Sequence, residues 1–145
     1  MIKQTLYTAE VSTRGGRSGS VESSEGNLKL NLAPPPGMGG EEGTSCTNPE
    51  ELFAAGYAAC FGGAVEYAAK QKKIETGEVQ VDAQVGIGPS SDKEGFEISV
   101  ALEVTLPKLN QQAAEALVAE AHRICPYSNA TRGNVEVKLT AHGGS

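Results

Sequence analysis

The sequence predicts an α+β fold in which antiparallel sheets pack around a long central helix, in the order βββ-α-ββ-α-β. Three features point there. Alternating apolar residues mark strands before residue 33 and after residue 78. A mostly apolar run from Leu52 to Val65 sits behind a strong helix start. The strands come in groups, without regular βαβ alternation. At 145 residues the chain fits a single domain, 1–145. It is long enough to bury about two-thirds of its unfolded surface without a disulfide framework.

Thr5 to Val11, Ser18 to Glu22 and Asn27 to Leu32 read as three short strands, broken at Gly15-Gly16 and Ser24-Glu25-Gly26, with Leu28, Leu30 and Leu32 alternating. Ala33 to Thr47 holds three consecutive prolines and four glycines and reads as a surface loop. Asn48-Pro-Glu-Glu then starts a helix: Asn caps free amides, Pro loses nothing at the first helical position, and the carboxylates favour the positive helix end. This helix is expected to run to about Lys73, with Lys70, Lys72 and Lys73 at its negative end and an apolar middle buried on several sides.

Val79, Val81, Ala83, Val85 and Ile87 alternate, as do Phe96, Ile98, Val100, Leu102, Val104 and Leu106, so an antiparallel hairpin is expected around the Pro89 to Gly95 loop. Asn110 caps a second helix whose Ala113, Ala114, Leu117, Val118 and Ala121 form one apolar stripe, ending before Pro126. A short helix over Pro126 to Arg132 and a last strand through Val135, Val137 and Leu139 complete the chain.

A formal charge of −6 opposes nonspecific binding to nucleic acid or to an anionic membrane face. No apolar run approaches the roughly 20 residues that span a bilayer, and the first ten residues lack the apolar core of a signal peptide. A cytoplasmic location is therefore expected. In a reducing compartment a lasting structural disulfide is disfavoured, so Cys46, Cys60 and Cys125 read as free, catalytic or metal-binding.

The cysteines occupy different settings. Cys60 lies in the apolar helix, where the ordinary role of a cysteine is core packing and burial raises its pKa. A reactive thiol there needs a cation, and Arg14 or Arg17 in the turn Thr13-Arg-Gly-Gly-Arg-Ser-Gly can supply it. Cys125 precedes Pro126, which places its sulfur either against free amides of a following helix or in the core at the end of the preceding one. Cys46 sits in the loop with no activating neighbour. His122-x-x-Cys125 offers two metal ligands, but the remaining candidates, Cys46, Cys60 and His142, are scattered, unlike a structural zinc site. The absence of G-x-S-x-G argues against serine hydrolysis, and His122 reads as a helix-end residue favoured by the dipole.

Thr47-Asn-Pro-Glu-Glu-Leu-Phe-Ala-Ala-Gly-Tyr-Ala-Ala-Cys60-Phe, together with Ala121-His-Arg-Ile-Cys125-Pro-Tyr-Ser-Asn-Ala-Thr-Arg-Gly-Asn, resembles the organic hydroperoxide resistance (Ohr) branch of the Ohr/OsmC family. The resemblance extends over essentially the whole chain, including the Tyr7-Thr-Ala opening and the Gly16-Arg17-Ser-Gly turn. It implies an intertwined homodimer and a thiol-dependent peroxidase without metal, haem or flavin. Organic hydroperoxides would be the substrates, and dithiols on lipoyl-bearing proteins the reductant. It also implies that Cys60 is the peroxidatic and Cys125 the resolving cysteine, that Arg17 holds the thiolate and that Glu50 orients Arg17. Glu51 falls outside the family spacing and reads as a helix-start carboxylate.

Two consequences follow from helical geometry. Glu50 and Cys60 lie about 15 Å apart along a straight helix, farther than one arginine bridges. Either a second chain contributes to each site or the helix bends near Gly56. Phe53, Tyr57, Cys60 and Ala64 share one stripe, so apolar walls flank the sulfur and favour bulky alkyl or lipid hydroperoxides over H₂O₂. The competing readings are a noncatalytic cysteine redox sensor or apolar-ligand binding protein, and a zinc-stabilised domain.

Overall fold

The structure is a computed structural model that describes residues 1–144. Two compact units divide the chain, Met1–Leu52 and Phe53–Ser145.

In the first unit β1 (Val11–Arg14), β2 (Ser20–Ser23) and β3 (Lys29–Asn31) form an antiparallel meander in the order β1-β2-β3. The first strand starts later than expected: Thr5 to Glu10 form no regular secondary structure and are all exposed. Physically, the pairing begins where Val11 meets Ser23 and ends where Arg14 meets Ser20, because β2 offers only four partners. Val21 and Leu32 are the buried apolar residues of this unit, whereas Leu6, Tyr7, Val11 and Leu30 stand exposed. The Pro- and Gly-rich segment is a loop, as its composition dictates. It contains one 3-10 turn at Pro36–Met38, and the Leu32–Thr47 bridge closes its base.

The helix α1 (Pro49–Gln71) starts as the sequence requires, with Asn48 Oδ1 accepting from the Glu51 amide at 2.8 Å. It runs unbroken through Gly56 and stops two residues short of Lys73, whose φ of 55° lies in the left-handed region.

In the second unit β4 (Gln80–Pro89) and β5 (Phe96–Leu106) make the expected hairpin, in register from Gln80–Thr105 to Pro89–Phe96. Val100, Leu102, Val104 and Leu106 point into the core, while Phe96 at the hairpin end is exposed. The helices α2 (Gln111–Ile124) and α3 (Pro126–Thr131) follow, the first capped by Asn110 Oδ1 on the Ala113 amide at 2.8 Å. The strand β6 (Val137–Gly143) begins two residues later than expected and pairs with β5 in parallel. This ladder departs from the all-antiparallel expectation. The cause is the helical crossover α2–α3, since a chain that returns through helices re-enters the sheet in the direction it left. Tyr57, Phe61 and Val65 of α1 pack with the buried row of β5 and with Ala114, Leu117, Val118 and Ala121 of α2 in one core. Among the described residues, no helix is long and apolar enough to cross a membrane.

Candidate active site

Arg17 rides on a single 3-10 turn, Gly16–Ser18, between β1 and β2. Gly15 and Gly16 hold φ of 81° and 57°, which glycine alone adopts cheaply. At Gly19 an added Cβ would fall on the carbonyl oxygen of Arg14, so the turn closes too tightly for any side chain. From this turn the Arg17 guanidinium donates through Nη2 to Glu50 Oε1 at 2.7 Å and through Nη1 to Glu50 Oε2 at 2.9 Å. The fork is bidentate, and the Glu50 side chain is only 13% exposed. The bond from Arg17 holds the Glu50 carboxyl below its ordinary pKa, and the same bond raises that of Arg17. Of the two arginines in the turn, Arg17 therefore makes the carboxylate contact, while Arg14 sits exposed on β1. Glu51 accepts from Thr47 Oγ1 at 2.8 Å, as suits a helix-start carboxylate.

The second pair lies in the other unit. Cys60 on α1 is half-buried, Cys125 at the junction of α2 and α3 is fully buried, and the Cys125 thiol donates to Cys60 Sγ at 3.7 Å. Burial is the largest influence on Cys60 and pushes its pKa up; the Tyr127 backbone amide pulls it down, and the neighbouring Cys125 thiol pushes it up again. Of the two settings open to Cys125, the structure shows the buried one at the end of α2 and not the one against the α3 amides. Cys125 is the N-terminal cap residue of α3 without a side-chain cap bond, and its sulfur faces Cys60 instead. The Tyr127 amide acts on the other cysteine, a contact that the sequence signals only through Pro126 as a helix start.

Around the sulfurs stands an aromatic cluster. Phe53 and Tyr57 meet edge to face at 6.1 Å, and the Tyr127 ring lies 6.3 Å from Phe53 and 5.8 Å from Tyr57. Tyr57 is wholly buried and belongs to the core as much as to any wall, whereas Tyr127 is 40% exposed and Phe53 half-buried. Gly56 is small because the Tyr127 ring lies over it, 3.2 Å from where a Cβ would stand.

Other candidates fall elsewhere. Cys46 stays half-buried in its loop. His142 bonds Glu103 at 3.1 Å on the exposed side of the sheet. His122 lies in the last turn of α2, as expected of a helix-end residue, and burial, aided by the nearby Arg132 charge, lowers its pKa. Among the described residues, no group of three or more His, Cys, Asp or Glu is placed to hold a metal.

The family model described as OsmC-like protein matches residues 40–140. The chain is 48% identical over 134 residues to the organic hydroperoxide resistance protein OhrB of Bacillus subtilis, covering 92% of this chain and 96% of that protein. The chain belongs to the organic hydroperoxide resistance branch of the Ohr/OsmC family. An organic hydroperoxide resistance protein of Xanthomonas axonopodis pv. citri is likewise 48% identical, over 95% of this chain and 96% of its own length. Among solved structures, an organic hydroperoxide resistance protein from Legionella pneumophila superposes with a TM-score of 0.89 at 49% identity, covering 96% of this chain and 99% of that one. The Ohr/OsmC architecture accounts for the two three-stranded sheets and the long helix that carries Cys60.

Proposed function

We propose that this protein is a thiol-dependent peroxidase that reduces organic hydroperoxides to alcohols, with Cys60 as attacking and Cys125 as resolving cysteine. The observation that carries the reading is the pair of free thiols at 3.7 Å. The Cys60 thiolate attacks the terminal oxygen of R-O-O-H, the O–O bond breaks, and the alkoxide leaves as alcohol after taking a proton. Sulfur is oxidised by two electrons to the sulfenic acid. The Cys125 sulfur then attacks Cys60 sulfur, the S–O bond breaks, and water leaves with the Cys125 proton. An external dithiol returns the disulfide to two thiols; we assign this to a lipoyl-bearing protein. No metal, haem or flavin takes part.

Burial opposes the Cys60 thiolate, and one backbone amide is weak compensation. A cation is required, and we assign it to Arg17, with Glu50 fixing the guanidinium plane through the fork. Because α1 is unbroken from Pro49 to Gln71, Glu50 lies about 15 Å along the axis from its own Cys60. We therefore place the Arg17–Glu50 pair of one chain at the Cys60 of a second, in a homodimer. The exposed Leu6, Tyr7, Val11 and Leu30 of a unit with so little core of its own support such a partner. Phe53 and the exposed Tyr127 ring would receive an alkyl chain, which favours organic peroxides over H₂O₂. The protein would work as one functional domain in the cytoplasm, with neither nucleic acid nor membrane as partner.

The test is turnover. With tert-butyl hydroperoxide and excess dihydrolipoamide, peroxide consumption is expected to exceed the protein present many-fold and to vanish in Cys60→Ser. Consumption that stops at one equivalent would instead identify a redox sensor.

A further inference from the structure

The mechanism leaves unused a buried chain of hydrogen bonds beside the sulfurs. Tyr57 Oη lies 2.8 Å from Ser128 Oγ and 3.2 Å from Thr131 Oγ1, and His122 Nδ1 lies 2.8 Å from Ser128 Oγ. Thr131 Oγ1 also donates to the Ser128 carbonyl at 3.2 Å. Tyr57 and Ser128 are fully buried and Thr131 nearly so. Proton order follows from the chemistry of the groups. A carbonyl only accepts, so Thr131 spends its proton there and Tyr57 must donate to Thr131. Ser128 then donates to Tyr57, and His122 must carry its proton on Nδ1. Every donor points the same way, and such chains reinforce one another in a dry interior.

This chain joins three helices at the place where Cys125 sits. Tyr57 is on α1, one turn before Cys60; His122 is on α2; Ser128 and Thr131 are on α3. Cys125 itself is backbone-bound to both flanking helices, its amide to the Ala121 carbonyl at 2.8 Å and its carbonyl to the Asn129 amide at 2.9 Å. Its backbone can therefore move little unless α3 moves, and the hydroxyls tie α3 to the Cys60 helix. We propose that Tyr57, Ser128, Thr131 and His122 are positioning residues that hold Cys125 Sγ in reach of Cys60, and that they set the rate of disulfide formation while leaving peroxide attack untouched. The proposal rests on the peroxidatic and resolving roles assigned above. Condensation requires the sulfurs to close from 3.7 Å to a bond of about 2 Å, and a misplacement of about 1 Å can cost roughly 100-fold in such a step.

Rapid-quench mass spectrometry with tert-butyl hydroperoxide separates the two steps in wild type, Tyr57→Phe and Ser128→Ala. Dimedone traps the sulfenic acid and alkylation counts the remaining thiols. Tyr57→Phe keeps the ring and loses only the hydroxyl, so it carries the test if Ser128→Ala does not fold. The expected result is an unchanged peroxide-dependent step and a disulfide step slowed roughly 10- to 100-fold, with sulfinic acid accumulating as peroxide is raised. Folded variants that form the disulfide at the wild-type rate, or that lose both steps equally, would overturn the positioning role. A wild-type protein that forms no Cys60–Cys125 bond would show instead that the peroxidase reading has failed, and the positioning role with it.

Discussion

The Cys60 thiol is pulled in opposite directions by its surroundings. Burial and the Cys125 thiol raise its pKa, and the Tyr127 amide lowers it. If Arg17 supplies the missing cation, its removal has a definite sign: the thiolate loses an attractive charge, its pKa rises, and less of it is present at neutral pH. Arg17→Gln is expected to move the midpoint of the pH–rate profile upward by about 1–2 units, with a roughly 10- to 100-fold loss in kcat/KM at pH 7. A profile that keeps its midpoint would remove Arg17 from the thiolate. The fork has its own pH limit. Glu50 is held below its ordinary carboxylate pKa by Arg17, so its stabilisation is present above that ordinary value and is lost as pH falls through the depressed one. The types of residue involved were legible in the chain, but Arg14 and Arg17 are equivalent by composition; the resemblance and the bidentate contact separate them. The Tyr127 amide was signalled only through Pro126 as a helix start, because a backbone donor carries no residue identity.

Among the elements, the most constrained is the turn Gly15–Gly19. Its glycines are required by left-handed φ at Gly15 and Gly16 and by the Arg14 carbonyl at Gly19. Gly19→Ala is expected to force the turn open and to dislodge Arg17, lowering kcat/KM about as much as Arg17→Gln while circular dichroism stays close to wild type. Wild-type kinetics in that variant would show that the turn does not place Arg17. Element starts with a side-chain cap were read to the residue, as at Asn48 and Asn110, because capping is local chemistry. The β1 and β6 boundaries shifted because strand limits depend on partners distant in sequence. The parallel β5–β6 ladder was missed for the same reason: alternation along a strand gives its faces but not its direction relative to a neighbour.

For the whole molecule, the roles proposed for Glu50 and Cys60, which are spaced along one unbroken helix, would tie activity to assembly. A variant made monomeric by charged substitutions at Leu6 and Tyr7, both largely exposed, is expected to lose most of its turnover as it loses its partner, as followed by light scattering and peroxide consumption. A monomer with normal turnover would contradict the shared site. The order of elements was legible from patterning, whereas the proposed partner rests on the resemblance and on a distance, about 15 Å of helix rise between two residues assigned to one site. All of this depends on the two cysteines reacting with each other. The most direct measurement is intact-mass and peptide mapping after one equivalent of organic hydroperoxide: a single bond between Cys60 and Cys125 with Cys46 still reduced is expected, and a disulfide through Cys46, or oxidation without any disulfide, would contradict the assigned roles.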